Sequence, residues 1–220
     1  DPPELVYFIR DYYSNVKINY PKKSMWKLIE KKLMPPTRKV RYCCSELKEN
    51  SGKGKFVITG VRWEESNKRK NTRSGIELNS FSKNIYLFND NDEARRVLEN
   101  CKMKSKHILN PIIEWKSNDV WTFIRYYNLH YPSLYDEGFD RLGCVGCPLV
   151  GRQQRELEFK RYPKFKIAYL KAFERMLQER SRKGKETKWK NAEEVFDWFM
   201  NTDTVSKKEI QKLDNIKFDI

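Results

Sequence analysis

The sequence predicts an α/β protein with a parallel sheet and a helical tail. Three observations carry this expectation. First, "KFVITGVRW" (residues 55–63) is a nearly continuous apolar run through Phe56, Val57, Ile58 and Val61, the pattern of a strand buried on both faces. Second, two more apolar runs, "NIYLFN" (84–89) and "HILNPII" (107–113), follow, and a helical pattern succeeds them. Strands mixed with helices in this order favour parallel pairing. Third, the character changes to helix beyond Pro148. The expected organisation is an α/β domain over 1–150 and a helical extension over 151–220.

The elements follow in order. Pro2 and Pro3 sit where a first helical turn tolerates them, and "ELVYFIRDYY" continues with Leu5, Val6, Phe8, Ile9 and Tyr12 at helical spacing. Ser24 caps a second helix, "MWKLIEKKL", which "MPPTRKV" breaks. "RYCCSELKEN" reads as a short helix closed by "SGKGK". After the third strand Ser117 caps "NDVWTFIRYYN", with Val120, Trp121, Ile124 and Tyr127 on one face. In the tail, "GRQQRELEFKRYPKFKIAYLKAFERMLQERSRKGK" is helical, with Leu157, Phe165, Tyr169 and Phe173 as an apolar stripe that suits a core. "NAEEVFDWFMN" is a last amphipathic helix.

Of the 220 residues 39% are hydrophobic and 34% charged, which describes a globular protein with a wet surface. No run of eighteen apolar residues occurs, so no membrane-spanning helix is expected. The chain opens on Asp1 and enters a helix almost at once, which suggests a piece of a longer protein. The net charge of +15 has two accounts: a solvated lysine-rich surface, or an anionic partner such as a nucleotide or nucleic acid. Only "SRKGKETKWK" (181–190) is a dense basic run. No Ser/His/Asp or paired-carboxylate arrangement is readable, so a hydrolytic triad has no support.

The five cysteines are Cys43, Cys44, Cys101, Cys144 and Cys147. An odd count in a chain of this length argues against a secreted disulfide framework and for a reducing cytoplasm. With Cys101 set aside, a tandem pair and a CxxC remain. Four thiolates in two clusters are the number used by structural zinc or an iron–sulfur cluster. Adjacent cysteines diverge, which is awkward for one tetrahedral ion, whereas a cubane offers each its own iron. Buried small hydrophobes at 43–44 and a redox pair or turn at 144–147 are the other account. Gly143, Gly146 and Pro148 around the CxxC suit a metal knuckle better than a thioredoxin-type helix start.

Four blocks in order, "RYCCSELK", "VITGVRWEESNKR", "NPIIEWKSNDVW" and "YPSLYDEGFDRLGCVGCP", resemble the phosphoadenosine phosphosulfate (PAPS) reductase family over roughly residues 1–150. The resemblance implies the adenine nucleotide α-hydrolase-like (PP-loop) fold, a Rossmann-like parallel sheet truncated here at its N-terminus. It also implies a [4Fe–4S] cluster, with zinc as the alternative, on Cys43, Cys44, Cys144 and Cys147, since members acting on adenylyl sulfate (APS) carry a CC…CxxC set. The strand-end block "TGVRWEES" is similar to the element of the family near the sulfate or phosphate of the substrate. Arg62 would supply a fork to an oxyanion, Ser66 a hydroxyl donor and Arg69 charge at the rim; a surface pairing of Arg62 with Glu64 or Glu65 and a solvated basic loop at Arg69 are the other accounts. The implied partners are APS, PAPS or ATP and a thioredoxin-like electron donor.

The chain departs from the family pattern twice. The phosphate loop SGGxDS occurs nowhere in it and is expected upstream of Asp1, on a separate piece of the same protein. No cysteine follows Cys147, so the thiolate that attacks sulfur in reductases of the family is not in this sequence. A reductase-like enzyme, a sulfur-transfer or nucleotide-cleaving enzyme of nucleic-acid thiolation or DNA phosphorothioation, and a non-catalytic domain with a structural metal are therefore the three expectations.

Overall fold

The computed structural model describes residues 1–49, 55–79, 84–87 and 106–201. Cys101 lies outside the described residues. The chain divides into two compact units, Glu49–Tyr131 and a second formed by Asp1–Lys48 with the chain from Pro132 on.

The Glu49–Tyr131 unit carries the sheet: β1 Phe56–Ile58, β2 Ile76–Asn79, β3 Asn84–Leu87 and β4 Lys106–Leu109, in the order β1-β4-β2-β3. β1 and β4 are parallel, with Phe56 opposite His107 and Ile58 opposite Leu109. β2 runs antiparallel to both β4 and β3. The sheet is therefore mixed, not all-parallel as the sequence predicts. β1 is three residues long and at the edge of the described sheet, so Phe56 and Ile58 stand 84% and 71% exposed instead of buried on both faces.

β2 escapes the sequence reading because its burial is inverted. Ile76 is exposed while Glu77 is buried. A buried carboxylate is tolerated only when its oxygens are satisfied. Here Arg73 Nη1 pairs with one oxygen at 2.5 Å, and Ser74 N and Asn110 Nδ2 donate to the other at 3.3 and 2.7 Å. A 3₁₀ turn Trp63–Glu65 and helix α4 Asn67–Thr72 join β1 to β2. Helix α5, Ser117–Tyr126, follows β4. Ser117 is its first residue, Lys116 being the N-cap, and Val120, Trp121 and Ile124 are half-buried while Tyr127 is exposed.

The other unit is helical. It holds α1 Pro3–Tyr12, α2 Met25–Lys32 and α3 Tyr42–Cys44; a π turn, Ser45–Glu49, follows α3 and ends on the first residue of the sheet unit. α6 Arg152–Arg161, α7 Pro163–Arg182 and α8 Ala192–Met200 complete it. Ser24 and Asn191 cap α2 and α8 through their side chains, as their types favour. The stretch 151–185, which reads as one helix, is two because Pro163 opens a new one at its first position. This break resets the helical phase: Phe159 enters the core and Leu157 is 58% exposed. Tyr169, Phe173, Met176, Val195 and Phe199 are at or near zero exposure and pack in one cluster with Ile29 of α2. Tyr169 stacks on Phe199 at 5.3 Å. Each such side chain contributes about 1.5–3 kcal/mol by burial.

Two buried arginines satisfy helix ends. Arg155 donates to the carbonyls of Phe199 and Met200 at 2.9 and 3.2 Å. Arg180 donates to Leu33 O at 2.8 Å, where α2 ends in a left-handed residue (φ 57°), and also to Glu186 O. Such terminal carbonyls lack intrahelical donors and need partners when buried. Among the described residues no helix is long and apolar enough to cross a membrane.

Candidate functional site: a thiol cluster and an oxyanion fork

The helical unit gathers all four predicted thiols. Cys43 and Cys44 close α3, with Cys44 N bonded to Arg41 O at 3.0 Å. All four are free and half-buried. Burial, then the adjacent Cys44, pushes the Cys43 thiol up to about 12, with Cys147 contributing in the same direction. The phenol of fully buried Tyr169 is held far above its ordinary range by burial first and then by Cys144, Cys147, Cys43 and Glu158. Among the described residues no three Cys, His, Asp or Glu side chains are arranged to hold one metal ion.

The CxxC is a tight turn. Cys147 N donates to Cys144 O at 3.1 Å, and Gly146 at the third position has φ +73°. A turn of this kind needs a positive φ there, which glycine adopts without strain. Space also demands glycine: a Cβ on Gly146 would overlap Phe159 Cζ and meet Tyr169 Cε2 at 3.1 Å. Gly146 N donates to Glu158 Oε2 at 2.7 Å, and Tyr169 Oη donates to Val145 O at 3.3 Å. Downstream, Arg38 donates to the carbonyls of Pro148 and Leu149 at 3.2 and 3.1 Å. Arg38 lies five residues before Cys43, so it ties the tandem-pair segment to the knuckle segment.

The sheet unit carries the predicted oxyanion residues. The loop after β1 is pinned on both sides: Thr59 N bonds Leu109 O at 2.9 Å, Trp63 N bonds Ile113 O at 2.8 Å, and Trp63 Nε1 bonds Arg73 O at 2.8 Å. Buried Asn110 ties β4 to this loop through Thr59 Oγ1 and to Ser74 O at 2.7 Å. Arg62 reaches Glu64 Oε2 at 3.2 Å, Ser117 Oγ at 3.3 Å and Glu65 Oε1 at 3.7 Å. Glu64 accepts from the Ser117 hydroxyl at 2.8 Å and the Ser117 amide at 2.5 Å, which hold its carboxyl below the usual range. Its carboxylate thus sits on the first turn of α5, a position that favours anions. Ser66 Oγ accepts from Arg69 N at 3.2 Å and caps α4. Arg69 pairs with Glu65. Arg62, Ser66 and Arg69 therefore share one short segment, and Arg62 forks between acidic neighbours.

Sequence reasoning missed Arg38, Asn110, Glu158 and Tyr169 as parts of these sites, and weighed Glu64 only as a surface partner of Arg62. Asn110 had a signal, since it opens "NPIIEWKSNDVW", a block already singled out. Glu158 and Tyr169 had none, lying in a stretch that reads only as helix.

A family model described as the phosphoadenosine phosphosulfate reductase domain matches residues 7–150. Among curated proteins, an uncharacterised protein of Methanocaldococcus jannaschii is 30% identical over 133 residues, covering 57% of this chain and 27% of that protein. A 37.8 kDa protein of Escherichia phage 186 is 25% identical over 152 residues, 69% of this chain and 42% of that one. Adenosine 5'-phosphosulfate reductase 2 of Bacillus subtilis is 46% identical over 66 residues, 29% of this chain and 28% of that one. The chain thus spans less than half the length of these relatives. No solved structure matches it. With a family match over well more than half its length, the chain belongs to the phosphoadenosine phosphosulfate reductase family.

Proposed function

We propose that the chain binds an adenylyl sulfonucleotide, APS or PAPS, and acts in reductive or sulfur-transfer chemistry with a [4Fe–4S] cluster on Cys43, Cys44, Cys144 and Cys147. One observation carries the reading: Arg38, five residues before the tandem pair, donates to the carbonyls of Pro148 and Leu149 just after the CxxC at 3.2 and 3.1 Å, which brings the two cysteine segments side by side. Soft thiolates suit zinc or iron–sulfur groups. The tandem pair Cys43–Cys44 suits a group with separate metal corners better than one ion, because adjacent side chains diverge. When bound, such a cluster supplies redox capacity or fixed charge.

The substrate class is supported by relatives named adenosine 5'-phosphosulfate reductase. Arg62 would exchange its bonds to Glu64 and Glu65 for a bidentate grip on sulfate or phosphate. The hydroxyl proton of Ser66 remains available, since its oxygen is the capping acceptor. Thr59, Trp63 and Asn110 hold the loop still, so little ordering cost falls on binding.

Sulfur transfer onto nucleic acid is the second reading. It is favoured by the exposed cations Arg182, Lys183, Lys185, Lys188 and Lys190 in one short segment.

The test is titration of the chain with APS, PAPS and ATP. Arg62→Ala should weaken nucleotide binding by about 10- to 150-fold, the worth of a charged hydrogen bond. Unchanged binding removes Arg62 from the site. Binding to DNA or tRNA that falls steeply with salt, without nucleotide binding, selects the second reading.

A further inference from the structure

We infer that Glu158 on α6 and Tyr169 on α7, both beyond the segment that matches the family, are positioning residues for the Cys144–Cys147 turn. The inference rests on the reading of the four thiols as one donor set.

A tight turn brings its first and fourth residues together, and here these are the two cysteines, joined by the 3.1 Å bond from Cys147 N to Cys144 O. That bond leaves the amide of Gly146 without a partner inside the turn. Glu158 is buried, at 8% exposure, and its Oε2 takes this amide at 2.7 Å. Burial pushes the Glu158 carboxyl up, and the Gly146 amide, Gln154, Arg155 and Arg141 act against that push. The neighbouring Phe159 packs where a Cβ of Gly146 would stand. From α7, Tyr169 closes on the other side of the same peptide through Val145 O at 3.3 Å. The two helices grip consecutive residues between the cysteines, one by an amide and one by a carbonyl. Side chains that orient metal ligands without touching the metal commonly control its affinity. Residues 151–182 thereby become part of the thiol site.

The test uses the full chain with Glu158→Ala, Glu158→Gln and Tyr169→Phe, each checked for folding by circular dichroism. The first readout is iron uptake on anaerobic reconstitution, followed by visible absorption and chelator competition. Glu158→Ala should lose about 10- to 100-fold in iron affinity. Glu158→Gln keeps an oxygen acceptor for Gly146 N and should recover most of it. The second readout needs no metal: binding of phenylarsine oxide, which requires two thiols side by side, in a Cys43→Ser/Cys44→Ser background. Glu158→Ala should weaken arsenical binding, Glu158→Gln should restore it, and Tyr169→Phe should weaken it by about 2- to 10-fold.

If the wild type takes up no iron while the arsenical results hold, the positioning role stands and the cluster reading falls. A folded Glu158→Ala that binds iron and arsenical as the wild type does overturns the inference. So does a Gln variant as defective as Ala. Should Glu158→Ala not fold, Tyr169→Phe decides, because it keeps the ring in the core; unchanged arsenical binding there refutes the role.

Discussion

Replacing Gly146 with alanine tests the knuckle geometry most sharply. Two costs act at once. The backbone at φ +73° is left-handed, and a Cβ there costs about 1–2 kcal/mol. The added methyl would also overlap Phe159 Cζ and crowd Phe159 Cε1 and Tyr169 Cε2, each at 3.1 Å. These rings lie in the core, so they yield only by repacking, at about 1–3 kcal/mol. Gly146→Ala should thus destabilise the chain by about 2–5 kcal/mol in all. Gly143→Ala is the control: its Cβ meets nothing within 4 Å and its φ is not positive, so its effect should stay within about 0.5 kcal/mol. The assay is urea denaturation of both variants, read by far-ultraviolet circular dichroism. A midpoint for Gly146→Ala equal to that of Gly143→Ala would refute both the turn assignment and the packing against Phe159.

Three further outcomes are expected. Phe173→Ala should lose about 3–5 kcal/mol in the same assay, whereas Leu157→Ala, at an exposed position, should stay within about 0.5 kcal/mol. Asn110→Ala strips partners from Thr59, Ser74 and Glu77 and should cost about 1–3 kcal/mol. The Glu64 carboxyl titrates lower in the folded chain than in the unfolded one, because Ser117 donates to its charged form. Its contribution is therefore complete above the unfolded value, about 4.3, and is lost as pH falls through the folded one. Melting curves between pH 7 and pH 3 should show a shallower acid limb for Glu64→Gln than for the wild type.

The helices were legible because their signals are local. Ser24 marks a start that the structure keeps, and "NAEEVFDWFMN" reads as the last helix that it forms. The sheet was legible only in part. β1 and β4 announce themselves by apolar runs, but β2 hides because it buries Glu77 and exposes Ile76, an inversion that depends on Arg73, Ser74 and Asn110. The expectation of Leu157 in the core failed for a related reason: a stripe read across Pro163 assumes one helical phase, and the proline starts a second. The four cysteines were singled out by their spacing and by resemblance. Their supports could not be, since Glu158 and Tyr169 act through backbone atoms of Gly146 and Val145, and such bonds leave no spacing rule. Arg62, Ser66 and Arg69 were singled out by resemblance; the pairing of Arg62 with Glu64 and Glu65 was the other account of that residue and is present in the fold, while the pairing of Arg69 with Glu65 was not foreseen.

The central claim, that four thiols form one donor set, has a direct measurement. Iron and acid-labile sulfide are quantified in the anaerobically purified chain and in the single variants Cys43→Ser, Cys44→Ser, Cys144→Ser and Cys147→Ser. The expected result is about four irons and four sulfides per wild-type chain, with loss in every variant. One zinc per chain without iron, or iron that survives the loss of either cysteine pair, would contradict it.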